Sequence, residues 1–166
     1  MDFAASFDAQ LAPLAPFLIY LVAGLFVFIE TAVVFAFFLP GDSLLFSVGL
    51  VAASHGNINI VILCAVIFAA AFFGDQIGFV LGRVVGRPYL DKRTSPRIQR
   101  MIRSSEEFYE RTGWWAVVAA RFFPWIRTFV PPIAGASKMN YYRFLSANIV
   151  GAILWGAGIT LAGFYA

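Results

Sequence analysis

The chain has 166 residues, of which 61% are hydrophobic and only 13% charged, with 19 Phe and a formal net charge of +3. Soluble domains are about 45–50% apolar and about a quarter charged, so this composition, with a mean hydropathy of +0.81, excludes an ordinary water-soluble fold and makes lipid the solvent for most of the chain. One cysteine, Cys64, and one histidine, His55, rule out an intrachain disulfide framework and supply no ligand cluster for a metal, and no cofactor motif is evident. The basic residues are unevenly placed, which reads as membrane topology rather than nucleic-acid affinity.

The N-terminus carries Asp2 and Asp8 but no basic residue before the first apolar run. It therefore lacks the positive region of a cleavable signal peptide and is expected to stay in the mature protein. Leu11 to Ile29 is uncharged over 19 residues; Glu30 follows, then Pro40-Gly41-Asp42. Pro40 removes a backbone donor and Gly41 permits a sharp turn, so the helix breaks there. The chain resumes as Ser43 to Ala53, about half of a spanning length. Residues 11–53 thus read as a broken, re-entrant hairpin.

Ser54-His55-Gly56-Asn57 predicts a turn, and 58–82 a transmembrane helix. Gly74, Gly78, Gly82 and Gly86 recur every fourth residue. That spacing allows close helix approach and turns neighbouring Asp75 toward protein, and a plain packing seam is the simplest reading. Residues 83–113 hold eight of the twelve basic side chains, among them Arg83, and by the positive-inside rule are cytoplasmic. Ser95 and Pro96 predict a helix start, with Ile98, Met101, Ile102 and Phe108 or Tyr109 on one face. This amphipathic linker suits a membrane surface, or equally a solvated helix with Arg103–Glu107 and Glu107–Arg111 pairs.

Residues 114–138 contain Arg121, Pro124, Arg127, Pro131, Pro132 and Gly135, which no uninterrupted helix survives. Crossing the membrane would place Lys138 and Arg143 outside, whereas a second re-entrant hairpin returns them to the basic side. Phe144 to Ala166 is uncharged for 23 residues, and 142–166 predicts a transmembrane helix. The expected architecture is a single all-α membrane domain, 1–166. It has transmembrane helices and two re-entrant helical hairpins, whose pairing suggests an inverted repeat.

Four ionisable residues therefore lie in broken segments at membrane depth, where each costs roughly 2.5–3.5 kcal/mol to insert and needs a partner or a task. Arg121 and Arg127, on either side of Pro124, offer guanidinium forks suited to phosphate. Glu30 and Asp42 suit proton exchange as access alternates. The plainer alternative is that the acids neutralise the arginines in static ion pairs holding the hairpins together.

These stretches also resemble the DedA family, known too as the VTT or SNARE-associated Golgi protein family, from about Phe26 to Tyr165. The matching residues are Phe28-Ile29-Glu30 with Leu39-Pro40-Gly41-Asp42; Gly74-Asp75 with Gly82-Arg83 and Gly86-Arg87; Arg121-Phe122-Phe123-Pro124 with Arg127 and Ala134-Gly135; then Met139, Phe144, Asn148, Gly151 and Trp155. The resemblance implies membrane proteins with two re-entrant hairpins that move lipids between leaflets, polyprenyl phosphates in bacteria and phospholipids in eukaryotes. It places Glu30, Asp42, Arg121 and Arg127 on the family's membrane-embedded charges. Phe79 stands where relatives often carry Tyr, and many relatives continue past the position of Ala166 into another apolar helix, which a homo-oligomer would be one way of supplying.

The expectation is thus a bacterial inner-membrane lipid transporter, not an enzyme. Protons couple its cycle, Glu30 and Asp42 carry them, and Arg121 and Arg127 bind the lipid phosphate, with Asp75, Arg83, Pro40, Gly41 and Pro124 in support. The alternatives are a proton-coupled exchanger of small cations or drugs, an intramembrane lipid phosphatase, which lacks a phosphate loop and a nucleophile motif, and an assembly role.

Overall fold

A computed structural model describes residues 14–32 and 41–166, and all the regular structure there is helical. Helix α1 is Leu14–Ala32 and α2 Gly41–Ser54; Pro40 lies outside the described residues. Helix α3, Ile60–Leu81, continues without a stop through a π-helical turn, Gly82–Gly86, into α4, Arg87–Asp91. The linker helix α5 is Pro96–Arg111. Three short helices follow, α6 (Gly113–Ala120), α7 (Pro124–Arg127) and α8 (Val130–Ala136). The chain closes with α9 (Tyr141–Ala152), a π-helical turn (Ile153–Ala157) and α10 (Gly158–Tyr165).

Two stretches, Ile60–Asp91 and Tyr141–Tyr165, are long and apolar enough to cross a membrane. Each opens on an asparagine cap: Asn59 accepts from the amides of Val61 and Ile62, and Asn140 from those of Tyr142 and Arg143. These bonds satisfy donors the first turn otherwise leaves orphaned. The two long helices run antiparallel, with Phe79 stacked on Phe144 and Asn148 donating to the Phe72 carbonyl.

The broken segments fill in around this pair from opposite ends. Helix α1 runs beside the first half of α3 in the same direction, with the Tyr20 hydroxyl at the Asn59 amide, Gly24 at Val66, and Thr31 at Gly74. Helix α2 lies along α10, Asp42 level with Trp155 and Gly49 with Thr160. At the other end, α6 runs along α9, with Trp114 bonded to Ser146 and Arg121 against Gly151. Helix α8 runs along the second half of α3, Pro132 against Gly82 and Gly135 against Phe79. The chain therefore states one pattern twice: a broken pair, then a long helix. Each pair's first arm lies on the first half of one long helix, and its second arm on the second half of the other.

The glycine ladder is the seam that permits this. Gly74 faces Thr31, Gly78 and Gly82 face Pro131 and Pro132, and only Gly86 is loosely packed, against Ala136 at 3.7 Å. At Gly78 the rings of Pro131 and Pro132 approach helix backbone bared by glycine, and at Gly82 the Pro132 backbone does so. Around the bundle Phe17, Leu21, Val61, Phe73 and Val80 point outward, the inverse of a water-soluble surface.

The linker departs from expectation in detail. Helix α5 starts at Pro96, but the Ser95 side chain makes no capping bond. Ile102 and Tyr109 are buried while Met101 and Phe108 remain exposed. Neither Arg103–Glu107 nor Glu107–Arg111 is among the ion pairs of the described residues; Arg87 pairs with Asp91 and Glu106 instead. Exposed long side chains lose as much entropy as such pairs return, whereas Arg87 is shielded and also donates to the Ala136 carbonyl, at 3.2 Å. The second broken segment likewise holds three short helices, with Gly113 opening α6 rather than ending α5.

Gly82→Leu should drive its side chain into the Pro132 backbone and cost about 1–3 kcal/mol or more, read as a lower melting temperature or aggregation in detergent. Gly86→Ala should fold like the parent.

Candidate functional site

The inner ends of both broken segments meet halfway along α3. Glu30 sits on the last turn of α1 and Asp42 on the first turn of α2; Arg121 follows α6, and Arg127 ends the single turn that Pro124 opens. Pro124 is suited to that position because the first helical residue needs no amide donor. The four charges expected from sequence are thus gathered in one place, together with Asp75 of α3.

They form two clamps. Arg127 spans both acids of the first segment: Nη2 donates to Glu30 Oε1 and Nη1 to Asp42 Oδ1, the latter at 3.0 Å. Glu30 is 1% exposed, and its carboxylate also accepts from the Gly41 amide at 3.3 Å. A Cβ at Gly41 would land on that carboxylate, which is the reason for a glycine here. The Trp155 indole closes the clamp, donating to Asp42 Oδ1 at 2.7 Å while its ring lies 4.5 Å from the Arg127 guanidinium. The second clamp is Arg121, whose Nη2 donates to both Asp75 Oδ2 and Asn148 Oδ1. Both guanidiniums are therefore already engaged, rather than open toward a common ligand from two sides of the bend.

Between the clamps lies a narrow void bounded by Thr31, Asp75, Arg121, Arg127 and Thr128, with no room for a water-sized occupant. Among the described residues, Glu30 Oε2, Arg121 Nε, Arg127 Nε and Thr128 Oγ1 are buried without a hydrogen-bond partner. The closed cluster thus retains unspent donors beside its arginines. Buried charges persist only when paired, and removing one partner costs far more than the pair contributes.

Arg83, the remaining basic residue singled out in the sequence, is not part of this cluster. It lies about 12 Å beyond Asp75 along the same long helix, in the π-helical turn after α3, over the Phe79 ring at 5.4 Å. Asn148 and Trp155 had no assigned role in the sequence reading; their burial at the two clamps becomes visible only in the fold. Among the described residues no group of His, Cys, Asp and Glu is arranged to hold a metal ion.

Comparison with known proteins matches residues 39–165 to the VTT domain. An uncharacterized membrane protein of Mycobacterium leprae is 45% identical over 141 residues, covering 84% of this chain and 62% of the relative. A Mycobacterium tuberculosis counterpart is 44% identical over 142 residues with the same coverage. Protein DedA of Escherichia coli K12 is 35% identical over 170 residues, covering 99% of this chain and 78% of that protein. The chain spans 62% of the length of those mycobacterial relatives. No solved structure matches it.

Arg121→Gln strands Asp75 in an apolar surrounding and should cost roughly 3–5 kcal/mol. Combining it with Asp75→Asn should restore part of that loss, because the neutral amides can bond to each other and to Asn148. Thermal unfolding of both variants in detergent measures the coupling.

Proposed function

The chain belongs to the VTT domain family, the family of the DedA protein, and from that membership we propose that it carries an anionic lipid, a polyprenyl phosphate or a phospholipid, between the leaflets of a bacterial inner membrane. The two long helices cross the bilayer in this reading. The two broken pairs are re-entrant hairpins entering from opposite faces, and the basic stretch from Arg83 to Arg111 lies in the cytoplasm by the positive-inside rule. The tips then meet near the midplane, where paired broken helices form the substrate sites of transporters.

The observation that carries the proposal is the Arg127 clamp. One guanidinium holds two carboxylates from the opposing half of the fold and lies against the indole of Trp155 from its own half. A proton on Glu30 or Asp42 weakens its hold and frees N–H donors that match a phosphate. Charge count supports coupling. Glu30, Asp42 and Asp75 face Arg121 and Arg127, so one bound proton makes the cluster neutral. If a singly charged phosphate enters, one further proton restores neutrality, which a low-dielectric site requires. Each headgroup charge is thus accompanied by one proton. Thr128 Oγ1 and the free Nε atoms of both arginines supply additional donors. The role is one of binding and release, with no bond made or broken.

The surplus carboxylate favours one second reading, exchange of a small cation or cationic drug for protons. The two separate in liposomes that follow leaflet exchange of a labelled polyprenyl phosphate and a labelled phospholipid across a pH gradient. The lipid reading expects movement that falls about tenfold or more in Glu30→Gln and in Arg127→Lys, since lysine lacks the bidentate fork. Cation-driven proton release with no lipid movement, preserved in Arg127→Lys, would establish exchange instead.

A further inference from the structure

A second space, larger than the void between the clamps, lies away from them. About 940 Å³ in volume, it opens at the base of the second broken segment, on the face that carries α5. Three cations from three different elements converge on it: Arg83 from the π-helical turn, Lys138 from the α8–α9 connection and Arg143 from the first turn of α9.

Their local bonding leaves them available to a ligand. Among the described residues Arg83 and Lys138 have no carboxylate partner; Arg83 lies over the Phe79 ring, and Arg143 donates to the Glu110 carbonyl at 3.0 Å. Of the two acids lining the space, Glu106 is already paired with Arg87, so Glu110 stands alone against three cations. Among the described residues Lys138 is the one non-glycine residue with positive φ, 55°, a backbone state that β-carbon sterics disfavour. The long helix beginning at Tyr141 also turns its N-terminus, capped by Asn140, toward the cavity, and the positive end of a helix favours anions. Tyr109 adds a phenol that burial pushes up to about 12, so it stays a hydrogen-bond donor at neutral pH.

The inner cluster is separated from this space by the Phe79–Phe144 stack, whose centroids are 4.3 Å apart. The apolar ring of Phe79 lies on the way from Arg83 to Asp75.

We propose that Arg83, Lys138 and Arg143 form an outer anion site that receives a phosphate group before it passes the Phe79–Phe144 barrier to the Arg121 and Arg127 clamps. The anion site stands on the cavity itself; only its service to a lipid headgroup rests on the transport reading above. A lipid headgroup and a free phosphate present the same chemistry here.

The test is equilibrium binding to the purified full chain in nanodiscs, with inorganic phosphate and a water-soluble short-chain phosphatidic acid as separate probes. Four proteins are compared: wild type, Lys138→Gly, Arg83→Gln with Lys138→Gly, and Arg100→Gln. Glycine suits the left-handed backbone at 138, so Lys138→Gly alone is a variant whose folding the charge removal does not threaten; it should bind several-fold more weakly. The double variant should lose roughly tenfold or more in affinity, two charge-assisted contacts being removed, while Arg100→Gln, which removes an exposed charge of α5 outside the cavity, retains binding. Unchanged binding in the double variant, an equal loss in Arg100→Gln, or no binding by wild type overturns the site. Much tighter capture of the short-chain lipid identifies a headgroup; equal capture identifies a soluble phosphate. If binding depends on Arg83 and Lys138 while liposomes show no lipid movement, the transport reading falls and the anion site remains.

Discussion

One guanidinium holds the two halves of this molecule together. Arg127 lies on a single helical turn of the second broken segment, yet its partners Glu30 and Asp42 belong to the first, and Trp155, stacked on it, belongs to the final helix. A charge buried this deeply survives only with its partners in place, so the position of each segment's tip depends on the other. The rest of the fold serves that meeting. The glycine ladder on α3 lets α1 and the proline-bearing α8 approach closely enough for the tips to align, and Asp75 with Asn148 anchors Arg121 beside them.

Such a design is costly if its purpose is stability alone. Replacing a buried ion pair by well-packed apolar side chains is often neutral or favourable, and the interior already has close contacts among Trp155, Leu45 and Ile67. Five ionisable groups at one depth, with several donors unspent, fit a cluster that exchanges partners. On the proposed function Arg127 trades a carboxylate for a phosphate, and the Trp155 indole and the Gly41 amide, bonded to Asp42 and Glu30, would keep those acids placed for its return. An outer cluster of cations and an aromatic barrier would give such exchange a direction of entry.

Much of this was legible in the residues. Proline and glycine marked the second break, charge placement singled out Glu30, Asp42, Arg121 and Arg127, and the fourfold glycine spacing foretold the seam along the first long helix, because each signal is local. Partner choice was not legible. That Arg127 takes both Glu30 and Asp42 while Arg121 takes Asp75 depends on contacts 46 to 97 residues apart, which no spacing rule reaches. Trp155 looked like an ordinary apolar residue, its indole N–H having meaning only beside Asp42. Lys138 and Arg143 were read as markers of topology, since nothing in sequence brings them to Arg83. The linker pairs failed for the opposite reason: local spacing permitted them, but exposure to solvent removed their advantage.

The central claim is that two broken segments enter from opposite faces and meet between them. Substituted-cysteine labelling in a Cys64→Ser background tests it most directly, using a membrane-impermeant thiol reagent on oriented vesicles with single cysteines at Ser54, Thr112 and Lys138. The account predicts that Thr112 and Lys138 react from the same face, the one bearing the basic linker, and Ser54 from the other. Labelling of Thr112 and Lys138 from opposite faces would mean that the second segment crosses the membrane, and the opposed-hairpin account would be wrong.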